Sequence, residues 1–274
     1  MRWSATGLLL IALVVHAGCQ TTPRTTFSLE RPDRHSFATE HFEILSDVRL
    51  ESETPTVQTL QSLREDLISV LQIPEQRDPV KVYLFSDEAS YRYYMQATWR
   101  DLPPRRAYFV GTSRELAVYS FVSPHVLEDL RHEFTHGILH ASLQSVPLWL
   151  DEGVAEYFEV DAGVAERVSE THLQELSTAL AEGWSPGLYR LELISDFRDL
   201  TQRDYAESWA WVHFMLNSTP EAKQVLLSYV QGLKTTKTPW RLQERLERAV
   251  PSYSDDLRRH VEQLLRGAFP QENQ

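Results

Sequence analysis

The sequence has a single cysteine, Cys19, in 274 residues. One thiol cannot close an intramolecular disulfide, so the fold must rest on its apolar core even in an oxidising compartment. The chain also lacks a strongly basic run, and its 27 Lys and Arg face 39 Asp and Glu for a formal net charge of -12. Nucleic acid, whose phosphates need a basic footprint, is therefore excluded as a partner. No internal repeat or low-complexity segment is present. What remains is ordinary for a globular protein, with 42% apolar and 24% charged residues. The length suits one large domain or two small ones.

The first eighteen residues stand apart from the fold. Arg2 and Trp3 lead into the apolar run Leu8 to Val15, too short for a transmembrane helix but suited to a signal-peptide core. Export is expected. Ala17 and Gly18 precede Cys19 in a way that resembles a bacterial lipoprotein signal, although His16 stands where that signal usually has an aliphatic residue. The resemblance implies cleavage before Cys19 and a lipid anchor on it, giving a membrane-attached protein of the bacterial envelope that faces the periplasm. An ordinary secretory signal with an incidental cysteine is the alternative.

Residues 19–36 are expected to form a polar tether, with the domain starting near His35. A short strand is expected over Phe42 to Leu45. Thr54-Pro55 should cap and open a helix that ends at Pro74. Val80 to Phe85 predicts a strand, Ala89 to Thr98 a helix, and Ala107 to Val110 with Glu115 to Phe121 a hairpin. A helix opening at Ser123-Pro124 should run through His140, and a second should follow Pro147 from Leu148 to Val160. Beyond lie helices over 163–182, from Arg203 to Leu216, after Thr219-Pro220, and after Ser254-Asp255-Asp256. The fold class expected is α+β. A small mixed sheet with helices and an active-site helix pair occupy residues 37–160, a helical part occupies 161–270, and a cleft lies between them.

Within the first helix of that pair lies His132-Glu133-Phe134-Thr135-His136. Residues four apart share a helix face, so both imidazoles can reach one metal ion. Hydrolytic zinc sites commonly take three protein ligands and leave the fourth position to water. Glu133 is the natural base, and Glu152, near the start of the next helix, is the natural third ligand, with Asp151 as competitor. Glu156 follows Glu152 by one turn and can serve as the outer partner that orients a ligand histidine; an ordinary solvated acidic face is its bland reading. Gly153 would allow the two helices to approach closely. His140 shares the histidine face, but eight helical residues span about 12 Å, so packing or an outer-shell place is expected for it.

His132-Glu-Phe-Thr-His136 with Trp149-Leu-Asp-Glu152-Gly-Val-Ala-Glu156-Tyr157-Phe158 resembles the gluzincin zinc metallopeptidases, the group of thermolysin and the zinc aminopeptidases, and is most similar to their bacterial peptidase-MA-like branch. The resemblance is sharp over residues 125–160. It implies that zinc is held by His132, His136 and Glu152, that Glu133 is the general base, and that Glu156 lies in the outer shell. Fifteen residues separate His136 from Glu152, a shorter connection than in the aminopeptidases. Tyr205-Ala-Glu-Ser-Trp209 is similar to the aminopeptidase segment that presents a tyrosine to the oxyanion. His213 competes for that role, and a plain core stripe of Tyr205, Trp209 and His213 is the third reading. The strand Glu115 to Phe121 is expected to hold an extended peptide if it edges the cleft. The aminopeptidase sequence G-x-M-E-N is absent, which favours an endopeptidase or a processing enzyme acting on a peptide or protein. A non-catalytic zinc-binding lipoprotein and a zinc hydrolase of non-peptide amides are the other classes the residues allow.

Overall fold

A computed structural model describes residues 29–76, 78–236 and 241–269. Cys19 and the apolar run before it lie outside the described residues. Five strands form one mixed sheet in the order β1-β2-β3-β5-β4. The strands are β1 (His35–Ala38), β2 (Phe42–Ser46), β3 (Val80–Phe85), β4 (Tyr108–Gly111) and β5 (Leu116–Phe121). β1 pairs antiparallel to β2, β2 and β5 flank β3 in parallel, and β4 pairs antiparallel to β5. The parallel pair β2 and β3 is joined by helix α1 (Pro55–Leu71), as parallel neighbours require a crossover.

β3 has helices on both faces, which explains its nearly unbroken apolar sequence. Val80, Val82 and Leu84 point to α1 and to α3 (Val126–Ser142). Tyr83 and Phe85 point the other way, into an aromatic layer with Tyr91, Tyr94 and Met95 of α2 (Glu88–Thr98) and with Tyr119 and Phe121. This alternation is the two-residue period of a strand. α3 is seated on the first face by Leu130, Phe134 and Ile138, all fully buried at four-residue spacing. Gly137 permits this seating, since a Cβ there would come 2.7 Å from Cγ1 of Val80.

Helix α4 (Leu148–Glu159) follows Pro147 and is buried between α3 and α7 (Gln202–Asn217). Both α4 and α7 are apolar on most of their circumference, as helices enclosed in a core must be. Around them stand α5 (Glu170–Ala181), α6 (Leu188–Glu192), α8 (Pro220–Gly232), α9 (Leu242–Ala249) and α10 (Tyr253–Ala268). One buried cluster runs from the sheet through α1, α3 and α4 into α7, α8 and α10. The sheet part and the helical part thus share a core. No helix among the described residues is long and apolar enough to cross a membrane.

Several expectations shift. β1 lies where tether and loop were expected, and Arg31 already binds the Tyr83 and Tyr94 hydroxyls and Glu115. The helix expected over 163–182 starts only at Glu170, capped by Ser169; before it, Glu166 and Arg167 take left-handed φ values of 55° and 52°. α3 begins at Val126, because Ser123 spends its hydroxyl on the His125 N–H in a preceding turn. α10 is preceded by Ser252, and the Ser254 hydroxyl is turned to the Pro186 carbonyl instead. β5 is an interior strand with β4 outside it, so the exposed edge belongs to β4.

Candidate metal centre

α3 presents His132 and His136 from one face, and the chain returns through Pro147 so that the first turns of α4 lie against them. Oε2 of Glu152 stands 3.7 Å from Nε2 of His132 and 3.8 Å from Nε2 of His136. Donor atoms of the three residues all lie within 4.8 Å of one another. Two donors bonded to one zinc at about 2.1 Å in a tetrahedral arrangement would be about 3.4 Å apart, so modest tightening suffices. Glu152 Oε2 is buried and has no hydrogen-bond partner among the described residues. A buried carboxylate oxygen left unpaired is costly, and it faces two imidazole nitrogens. The donor set therefore fits a divalent cation such as zinc.

A carboxylate stands at the far side of each imidazole. Nδ1 of His132 hydrogen-bonds Oε2 of Glu159 at 2.9 Å, whereas Nδ1 of His136 lies 2.9 Å from Oδ1 of Asp151 in an ion-pair contact without hydrogen-bond geometry. The other oxygen of Asp151 contacts Nε2 of His140 at 2.9 Å. Asp151 is thus outside the donor triangle, and His140 supports it from beyond. Burial alone would lower the His132 pKa, but Glu152 and Glu159 override it and hold it well above the usual range. His136 is likewise opposed by burial and pushed up to about 9 by Asp151 and Glu152. This arrangement of carboxylates favours positive charge at the point where the three donors converge.

Glu156 makes no hydrogen bond to His132 or His136 of α3 among the described residues. Its carboxylate meets Nε2 of His172 from α5 at 2.8 Å, and burial, which would raise its pKa, is outweighed by His172 and His132. Glu156 remains near His132, in a group with Glu159 whose donor atoms lie within 4.8 Å of one another. The reason is the direction of the helices. α3 and α4 run oppositely, so His136 faces the start of α4 and His132 faces its end, while α5 supplies a separate partner for Glu156. The close approach expected at Gly153 is corrected. A Cβ there would lie 2.6 Å from the carbonyl oxygen of Ser208, so the close approach it allows is to α7.

Glu133 leans to the sheet, where its Oε2 accepts the Phe109 N–H of edge strand β4 at 2.6 Å. The Phe109 ring lies against His136 and His140, at centroid distances of 6.1 and 5.2 Å. Tyr205, in the first turn of α7, brings a buried hydroxyl with no hydrogen-bond partner among the described residues. Burial and the nearby Glu152 raise its pKa, and the guanidinium of Arg105 beside it acts the other way. His213 is withdrawn from this chemistry. Its Nδ1 meets His260 and its Nε2 meets the Glu166 carbonyl, each at 2.8 Å.

Four residues of this neighbourhood carried no sequence signal as site residues. Phe109 and Arg105 belong to the edge strand and the loop before it, and only the strand order brings them here. Glu159 is the last residue of α4, a place where an acidic side chain reads as ordinary solvated surface. Glu207, 1% exposed, accepts from the Trp184 indole N–H at 3.2 Å and the Gly187 N–H at 2.6 Å, and pairs with Arg190, pinning the α5–α6 connection onto α7 beside Tyr205. A capping box between Thr201 and Asp204 fixes the start of α7 and with it the height of Tyr205.

No curated protein matches the chain. Residues 128–240, from the first turn of α3 to just past α8, match the model of a family described as "Protein of unknown function (DUF1570)", a span that contains both histidines, Glu133, Glu152 and Tyr205.

Proposed function

We propose that this protein is a zinc-dependent metallopeptidase of the gluzincin type, hydrolysing peptide bonds at the bacterial cell envelope, to which Cys19 attaches it. The convergence of His132, His136 and Glu152 within 4.8 Å, with Glu133 between the two histidines on α3, carries this reading. A zinc ion held by those three residues would polarise the scissile carbonyl and acidify a water molecule. Glu133 takes the proton of the attacking water and delivers it to the leaving amine nitrogen. The Phe109 N–H holds one of its oxygens, which fixes the direction of the carboxylate. The hydroxyl of Tyr205, which donates to no acceptor among the described residues, can donate to the oxyanion that develops on the carbonyl. An extended peptide can pair along β4 through the outward backbone groups other than the Phe109 N–H, which Glu133 occupies. Envelope attachment rests on the apolar run and the small residues before Cys19.

Metal analysis joined to peptide hydrolysis tests the proposal. Wild type should carry one zinc per chain, and His132→Ala and Glu152→Ala should lose it. Glu133→Gln should keep the metal and lose about 10²- to 10⁴-fold in turnover. Full peptidase activity in zinc-loaded Glu133→Gln would overturn the mechanism. Zinc without cleavage of a broad peptide library would select a non-catalytic metal protein, and activity confined to non-peptide amides would select another hydrolase.

A further inference from the structure

Arg105 is a cation beside the site that has no carboxylate in ion-pair contact among the described residues. The chain holds 39 carboxylate side chains against 27 Lys and Arg, and the arginines around α3 are engaged. Arg106, its neighbour, pairs with Glu128 at 3.2 Å and Asp129 at 2.7 Å. Arg131 donates to the Glu159 carbonyl and pairs with Asp161. Arg105 has no carboxylate within ion-pair distance among the described residues; burial opposes its charge, and the Tyr205 hydroxyl beside it, then Tyr108 and Glu133, favour it.

Its position is built. Pro103 and Pro104 restrict the loop before β4. The Tyr108 hydroxyl donates to the Pro103 carbonyl and closes that loop on itself. The guanidinium carbon lies 5.8 Å from the centre of the Tyr108 ring, within reach of a cation–π contact. The next residue is Phe109, whose N–H holds Glu133. The guanidinium is thus carried beside the Tyr205 hydroxyl and the base, at the start of the strand along which a peptide would lie.

Glu133, Glu152, Glu156 and Glu159 make this neighbourhood negative and would repel an anionic substrate. An exposed guanidinium without a carboxylate partner among the described residues reverses that repulsion at one point, and its planar fork matches a carboxylate in two parallel hydrogen bonds. We propose that Arg105 is a carboxylate receptor, so that the preferred substrate presents a carboxylate beside the bond to be cut. This rests on the hydrolase reading above. The carboxylate can be an Asp or Glu side chain or the C-terminus of a peptide.

The experiment uses the full chain with zinc and four random octapeptide libraries. Two contain Asp and Glu and two contain Asn and Gln in their place; each kind is made with a free and with an amidated C-terminus. Cleavage is measured for wild type, Arg105→Gln and Arg105→Lys, and equilibrium binding for the same set in the Glu133→Gln background. Melting curves check that the exposed substitution leaves the fold intact. Wild type should prefer one carboxylate-bearing arm by about 10-fold or more in both readouts. Arg105→Gln should erase the preference and Arg105→Lys should keep part of it. The arm that carries the preference identifies its source.

If Arg105 only props Tyr205, Arg105→Gln slows every library alike and keeps the ratio, which overturns the proposal. Equal treatment of all four libraries by wild type also overturns it, while cleavage itself would leave the peptidase reading standing. An Arg105-dependent binding preference without any cleavage supports the receptor and removes the peptidase reading.

Discussion

Oδ1 of Asp151 stands 2.9 Å from Nδ1 of His136 in an ion-pair contact, and its second oxygen hydrogen-bonds His140 at 2.9 Å, so one carboxylate lies between an imidazole of the candidate metal centre and a half-exposed one. Such an outer partner fixes the ring orientation and raises the basicity of the donor nitrogen. Asp151→Asn, which keeps the shape and removes the charge, should weaken zinc about 10- to 100-fold in chelator competition. His140→Ala should cost less, because it acts one contact further away. Unchanged affinity in Asp151→Asn would mean that the contact is incidental.

Tyr205→Phe separates chemistry from packing. The hydroxyl is buried without a partner, so its removal should leave thermal stability unchanged or slightly higher. If it stabilises the oxyanion, kcat on a cleaved peptide should fall about 10²- to 10³-fold with little change in KM. A variant that keeps full kcat would return Tyr205 to the core stripe.

Gly153→Ala should damage fold and site together. The new Cβ would lie 2.6 Å from the Ser208 carbonyl oxygen, a backbone atom that cannot rotate away, and 3.0 Å from Cγ2 of Val212. Overpacking of this kind costs about 1–3 kcal/mol, more than the roughly 1 kcal/mol that alanine gains in helix propensity. Since Glu152 is the adjacent residue, zinc content should fall as well. Gly232→Ala, with nothing within 4 Å of its Cβ, is the control and should be neutral or stabilising in urea denaturation.

The His213–His260 pair predicts an acid-sensitive fold. Burial, then the neighbouring His260, push the His213 pKa down to about 3, and burial pushes His260 down to about 4. Each lies below the value of about 6.5 expected for the unfolded chain. Between pH 6.5 and those folded-state values the unfolded chain binds more protons, so stability is fully present above pH 6.5 and is lost as pH falls. Buried His213 alone would contribute a slope approaching 1.4 kcal/mol per pH unit, an order-of-magnitude figure. Urea denaturation of wild type and His213→Phe from pH 7.5 to 5.5 should show a flatter profile in the variant. Parallel profiles would show that the pair does not set the acid limit.

Strands β2 to β5, most helices and the gathering of His132, His136 and Glu152, with Glu133 between the histidines, were legible in the sequence, because each depends on local geometry. Four residues make one turn of a helix, and Pro147 followed by an apolar stretch turns the chain back. What only the tertiary structure decided was which partner each of these groups meets. The antiparallel crossing of α3 and α4 gave His132 to Glu159, and the arrival of α5 took Glu156 for His172. Strand order put β4 at the edge, with Arg105 and Phe109 beside the base, and packing of α7 made Gly153 a contact with Ser208. Periodicity along a chain records which face a side chain occupies, whereas its partner is set by elements far away in sequence, whose crossing angles and order no local pattern encodes.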